Sequence, residues 1–257
     1  MKIFRSIVTY INFFFFVLIF TVLFPVFLIF KIFRFEDYFI KFSFTLVRFV
    51  IRSSLWFAGI KVVVTKDNDC SVSEGSVVIM ANHIASMDPL FLIYVFTKPF
   101  VVIAKRSLLS VPLINLLLIS MGAIFVNRSS IKSSAIAQRK AAKVIREGGV
   151  IGIFPEGTRN LGGKTRDFKR GAVNLALKTH SSIVPVTLLN TNKIFIKNLI
   201  LNTGLSIYVH VHSLIDVSNL IDDEKERLHF IVRDKIVKKL EKMKIQYNID
   251  RNLNENK

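Results

Sequence analysis

Cysteine is all but missing. Cys70 stands alone among 257 residues, which excludes an internal disulfide framework and any cysteine-based zinc site. Acidic residues are scarce as well: 18 Asp and Glu face 36 Lys and Arg, a formal charge of +18. An excess of that size predicts an anionic partner surface, either lipid headgroups or nucleic acid. The basic residues are scattered rather than clustered, and 51% hydrophobic residues with 24 Phe do not fit a soluble nucleic-acid binder. The reading is therefore anionic membrane lipid and no nucleic acid. Neither Gly-x-Ser-x-Gly nor His-Glu-x-x-His occurs, so two common hydrolytic devices are excluded. Gly157-x4-Gly162-Gly163-Lys164-Thr165 has one glycine too many before its lysine for a phosphate loop. Gly162-Gly163 reads instead as the flexible edge of a loop.

Long apolar runs, by contrast, are present. Residues 7–30 carry no charge, and only Thr9, Asn12 and Thr21 are clearly polar. As a helix this run spans about 36 Å, against a hydrocarbon core of about 30 Å. It ends in Phe30-Lys31-Ile32-Phe33-Arg34, with no small-residue cleavage site, so it reads as a retained anchor rather than a secretory signal. Pro25 leaves a full span and a kinked, half-inserted helix both open. Lys31, Arg34, Lys41, Arg48 and Arg52 follow the run, and by the positive-inside rule they favour a cytoplasmic C-terminal domain, on the inner membrane in a bacterium. Asp37 is placed to cap a second helix reaching about residue 57. On it Lys41, Arg48 and Arg52 fall within about 40° of one another. Such a stripe on an apolar body fits a helix lying in the membrane interface; a core helix with one solvated face is the alternative.

Beyond residue 59 the pattern alternates. Strands are predicted at 61–65, 76–81, 100–104, 123–126, 150–154, 183–189 and 205–212, and helices at 89–96, 112–120, 133–147, 169–179 and 219–243. Such alternation predicts an α/β domain, a largely parallel sheet flanked by helices. The organisation is thus a membrane anchor (1–58), a catalytic domain (59–248) and a polar tail (249–257).

Two segments carry chemistry. His83-Ile84-Ala85-Ser86-Met87-Asp88 follows an apolar strand, at the end where open α/β sheets place ligands. Five residues apart on a helix the two side chains diverge by about 140°. Pro89 instead makes Asp88 a natural N-cap, and the preceding turn returns its carboxylate to the imidazole. An Asp on one ring nitrogen leaves the other as a base; a loop histidine beside a capping aspartate is the plain alternative. His229 and Asp234 share the spacing, within a charged C-terminal segment, and read as surface residues. In the second segment, Phe154-Pro155-Glu156-Gly157-Thr158-Arg159, a strand ends in a tight turn. Gly157 permits close backbone approach there, and Arg159 offers a bidentate fork for phosphate. Glu156 is placed to orient Arg159 or to bind a substrate hydroxyl. His210 and His212 point to one face of a strand, and without carboxylates nearby in sequence they read as packing or surface residues.

These residues resemble the 1-acylglycerol-3-phosphate (lysophosphatidate) acyltransferases of the glycerophospholipid acyltransferase superfamily. Asn82-His83-x4-Asp88 resembles the catalytic block and Gly122-Ala123-Ile124-Phe125-Val126-Asn127-Arg128 the second. Phe154–Arg159 matches the third residue for residue, and Val184-Pro185-Val186 resembles the fourth. Lys105 and Phe168-Lys169-Arg170-Gly171 also stand where the family often has such residues. Ala85 replaces a serine common in lysophosphatidate-specific members, and Asn127 an acidic residue. Both bear on the acceptor, with another lysophospholipid or a lyso-ornithine lipid as alternatives; a non-catalytic basic membrane adaptor is a further one. The resemblance implies His83 as base and Asp88 as its partner. It implies an acceptor-phosphate site at Lys105, Arg128 and Arg159, shaped by Glu156, Gly157 and Thr158. The substrates implied are lysophosphatidate and an acyl thioester of coenzyme A or acyl carrier protein. No metal or other cofactor is implied, and no covalent acyl-enzyme, since Cys70 lies outside every block.

Overall fold

In the computed structural model the described residues are 1–33, 36–68, 75–112, 114–160, 164–196 and 200–247. Arg34, Cys70, Gly162-Gly163 and the polar tail, with the readings attached to them, lie outside the described residues.

Val77–Ala81 (β2) is a continuous apolar run, buried on both sides. Its odd residues join one core and its even residues another: Val77, Ile79 and Ala81 on one face, Val78 and Met80 on the other. A strand with no polar face must be sandwiched. It lies within a seven-stranded sheet with Lys61–Lys66 (β1), Val101–Lys105 (β3), Ile124–Val126 (β4), Val150–Ile153 (β5), Ser182–Leu189 (β6) and Ser206–Val211 (β7), in the order β1-β7-β6-β2-β5-β3-β4. Strands β6, β2, β5, β3 and β4 are mutually parallel. The pair β1 and β7 is parallel within itself but meets β6 antiparallel. The sheet is thus mixed and mostly parallel.

Helices cover both faces. Ile131–Arg146 (α5), Arg170–Thr179 (α6) and Asp222–Gln246 (α7) pack on the Val78/Met80 face. Asp88–Val95 (α3) and Ile114–Ser120 (α4) pack on the other, joined there by Glu36–Ala58 (α2), whose Phe44, Val47 and Ile51 are core residues. Ser130 caps α5, its hydroxyl accepting from the Ser133 amide at 3.2 Å. Gly148, at φ +83°, then turns the chain into β5.

Lys2–Ile32 (α1) lies against α2. Asn12 Nδ2 donates to Ser53 Oγ at 3.1 Å and Ser54 Oγ at 2.9 Å, and Phe27 meets Phe39 at 4.9 Å. At the domain end Ser6 Oγ accepts from the Leu201 amide at 3.0 Å. Within α1 the segment Lys2–Phe30 is long and apolar enough to cross a membrane, and only 11% of its most apolar window is buried. That exposure sets it apart from the core helix of a soluble protein and makes it a candidate membrane span.

Two expectations need correction. The second helix already begins at Glu36, so Asp37 sits inside its first turn rather than capping it. In the basic stripe of α2, Arg48 Nε donates to the Tyr94 carbonyl at 3.3 Å and the Arg52 guanidinium lies 4.9 Å from the Tyr94 ring centre, while Lys41 and Arg52 are exposed. Finally, His229 is buried, not a surface residue, because it borders the inward stripe of α7 formed by Leu228, Val232, Ile236, Leu240 and Met243. Burial holds its imidazole below the ordinary histidine range.

Candidate active site

The sheet order gathers the sequence blocks. His83 follows β2, Glu156–Arg159 follow β5, Lys105 ends β3, and Arg128 lies two residues past β4. Since β2, β5, β3 and β4 are adjacent and parallel, their C-terminal ends form one rim.

On that rim His83 Nδ1 lies 2.8 Å from Asp88 Oδ2, and Asp88 is fully buried. The same oxygen accepts from the Ile84 amide at 2.6 Å and the Ala85 amide at 2.8 Å, while Oδ1 accepts from the Thr191 hydroxyl at 2.5 Å. A carboxylate surrounded by donors is held in one position. As an acceptor it requires the proton on His83 Nδ1, so the Nε2 lone pair faces outward with no hydrogen bond to any described residue. The expected N-cap role of Asp88 is not seen: Met87 stands at that position, and the Asp88 carboxylate folds back onto the turn before the helix. Satisfying two loop amides and the imidazole outcompetes a cap on a helix whose Pro89 lacks one donor.

The rest of the loop is braced from the second segment. His83 N–H donates to Glu156 Oε1 at 2.7 Å, and the His83 carbonyl accepts from the Asn160 amide at 2.7 Å. Glu156 Oε2 accepts from the Arg166 amide at 3.0 Å. Both Glu156 oxygens are thus given to backbone amides, not to Arg159. Burial pushes the Glu156 carboxyl above its ordinary range, against those two bonds, which pull it back. The His83 ring stacks on Phe154 at 4.3 Å. Asn82 bonds β6 through both side-chain atoms, accepting from Leu188 N at 2.8 Å and donating to Leu188 O at 2.9 Å.

The cations sit around this frame. Arg159 Nη1 donates to Ser86 Oγ at 2.5 Å, tying the second segment to the first, and Arg128 Nη1 donates to the Gly157 carbonyl. Gly157 has φ +71°, and a Cβ there would meet Lys169 Cε and Nζ at 2.9 Å. Lys169 therefore lies directly on the turn. Lys105 and Thr158 are exposed on the same rim with no described bond to the other site residues. Thr191, Asn82 and Ser86 complete the frame. No motif distinguishes a threonine a hundred residues away, but any buried Asp in a turn needs donors, and that need is a signal in itself.

Comparison with known proteins gives consistent findings. A family model described as Acyltransferase matches residues 61–189. A 1-acyl-sn-glycerol-3-phosphate acyltransferase of Borreliella burgdorferi is 58% identical over 246 residues, 95% of this chain and 98% of that protein. A probable 1-acyl-sn-glycerol-3-phosphate acyltransferase of Mycoplasma pneumoniae is 31% identical over 161 residues, 61% of this chain and 59% of its own. In fold the chain is similar to the crystal structure of the 1-acyl-sn-glycerophosphate acyltransferase PlsC from Thermotoga maritima. That likeness has a TM-score of 0.72 at 23% identity, and covers 95% of this chain and 98% of the other.

Proposed function

The chain belongs to the acyltransferase family, and from that premise we propose that it transfers a fatty acyl group from an acyl thioester to the sn-2 hydroxyl of 1-acylglycerol-3-phosphate, forming phosphatidate, with His83 as general base. One observation carries the reading: Asp88, saturated by donors, holds His83 Nδ1 at 2.8 Å and leaves Nε2 open on a rim that also carries Arg128, Arg159 and Lys105.

The steps follow from that geometry. His83 Nε2 takes the proton of the glycerol hydroxyl as its oxygen attacks the thioester carbonyl carbon. The carbonyl oxygen becomes an oxyanion, and backbone amides are the expected donors to it. As the tetrahedral intermediate collapses, the C–S bond breaks and the sulfur leaves with its electron pair. The imidazolium, stabilised by Asp88, returns its proton to the thiolate. A thiol has a pKa of about 8.5, so this departure needs little acid assistance. Arg128, Arg159 and Lys105 bind the acceptor phosphate, and Lys169 adds a fourth charge. The donor is an acyl ester of coenzyme A or acyl carrier protein, and no metal or other cofactor takes part.

The acceptor and product are lipids, and the outward apolar side chains of α1 and α2, among them Phe14, Leu18, Phe49 and Trp56, provide the surface that meets the bilayer. The cations that follow the apolar run favour a catalytic domain on the cytoplasmic side. The test is product identity. Detergent-solubilised protein, given an acyl thioester and either lysophosphatidate or phosphate-capped lysolipids, should form diacylated product from lysophosphatidate alone, as read by mass spectrometry. Equal yield from lysophosphatidylcholine would overturn the acceptor assignment.

A further inference from the structure

Two strands away from β2, on the α7 side of the sheet, a second cluster of polar residues is unused by this chemistry. It comprises Asp67, just past β1, with His210 of β7 and His212 just past its end; one ligand atom from each lies within 4.8 Å of the others. The pairing of Lys66 with Val211 brings them together, since it sets the end of β1 beside the two histidines. Both histidines are 3% exposed, whereas the Asp67 side chain is 38% exposed, giving the cluster one route to solvent.

The hydrogen bonds allow both rings to turn a lone pair to the cluster. Thr187 Oγ1 lies 2.8 Å from His212 Nε2 and 3.3 Å from the Ile236 carbonyl. With its hydroxyl proton on that carbonyl, Thr187 accepts from the ring, and His212 Nδ1 presents a lone pair on the side of Asp67 Oδ2, 4.0 Å away. Asp67 Oδ1 lies 3.1 Å from His210 Nε2, and the other nitrogen of that ring is 2.8 Å from Thr65 Oγ1. The Thr65 hydroxyl can donate or accept, so His210 is able to present either a proton or a lone pair to the cluster.

From this arrangement we propose that Asp67, His210 and His212 form a binding site for a divalent transition-metal ion of the zinc type, structural in role, which staples the edge strand β1 to β7. Two imidazoles and one carboxylate are a frequent zinc ligand set, with the remaining position left to solvent. Tetrahedral bonds of about 2.0–2.1 Å put neighbouring ligand atoms about 3.3 Å apart. The 3.1 Å from His210 Nε2 to Asp67 Oδ1 is close to that spacing, and the 4.0 Å from His212 Nδ1 to the other carboxylate oxygen is longer. Thr187 and Thr65 hold the far ring nitrogens, as outer partners of metal-bound histidines do, and the Ser213 amide holds Asp67 Oδ2 at 3.0 Å. Lys235, bonded to Ser213 at 3.1 Å, and Lys239 are the opposing charges nearby, while the two imidazoles select a transition-metal ion over an alkaline-earth cation. Strand β1 pairs on one side only, so an ion here ties down an otherwise free edge. This site is independent of the acyl-transfer reading.

The experiment uses the full chain in detergent, stripped with a chelator and titrated with Zn2+ against a chromophoric competitor while thermal unfolding is followed. Expected are one ion per chain with micromolar or tighter affinity and a raised Tm. Both effects should be lost in Asp67→Asn, which keeps the shape of the side chain, and in His212→Ala, but kept in His229→Ala. Co2+ in place of Zn2+ should give the visible absorption of a low-coordinate site in wild type and not in Asp67→Asn. An unmoved competitor signal and Tm in wild type, or full binding by Asp67→Asn, would overturn the proposal.

Discussion

Asp88 makes the clearest case at the scale of single residues. Three donors converge on its Oδ2, and only the rotatable Thr191 hydroxyl meets Oδ1. An asparagine fits this pattern, with its oxygen at the Oδ2 position and its amide donating to Thr191. Asp88→Asn is thus expected to fold with a Tm near that of wild type, yet to leave the imidazolium without its counter-charge. Turnover should fall by about 10²–10⁴-fold with little change in KM, measured by steady-state kinetics. Gly157 makes a different case. Alanine there takes on a left-handed backbone worth about 1–2 kcal/mol, and its Cβ displaces the Lys169 side chain. Gly157→Ala should therefore raise KM for lysophosphatidate more than it lowers kcat. At this scale the sequence spoke unevenly. His83 and Asp88 were readable because a proline after the aspartate forces a turn. The bracing by Glu156 was not, since nothing local says that a carboxylate will serve two distant backbone amides. His229 was misjudged because a charged neighbourhood hid its place on the inner stripe of α7.

Among the elements, α2 shows how one helix divides its faces. Phe44 is 1% exposed in the core beside Phe100, whereas Phe49 is 60% exposed. Phe44→Ala should cost about 3–5 kcal/mol of stability. Phe49→Ala should leave the Tm in detergent nearly unchanged while weakening partition into lipid vesicles, as thermal unfolding and sedimentation would show. All seven strands were legible as apolar, β-branched runs between turn signals, and each formed within two residues of the expected limits. The reversal of β7 was less legible, though its signal exists: the 190–205 connection contains no helical repeat, and a parallel return needs a crossover. Metal-ligand residues were harder still to find from sequence. Asp67 is over a hundred positions from His210 and His212, and only the β1–β7 pairing brings it near.

For the whole molecule, sheet order does the assembling. Three blocks and Lys105, spread from Asn82 to Arg159, come to one rim because β2, β5, β3 and β4 are neighbours pointing the same way. The apolar helices α1 and α2 add a largely lipid-like outer surface to a domain of high positive charge, which suits anionic lipid substrates. The α/β class was readable from alternation alone, and the resemblance lay in three motifs at strand ends and a fourth, Val184-Pro185-Val186, within β6. Everything then rests on His83 acting as a base on a lipid acceptor. The direct measurement is release of thiol from an acyl thioester by detergent-solubilised protein, with and without lysophosphatidate, for wild type and His83→Ala. Release that requires lysophosphatidate and falls by at least about 10²-fold in His83→Ala is the predicted result. Release that proceeds without the acceptor, or persists in His83→Ala, would contradict it.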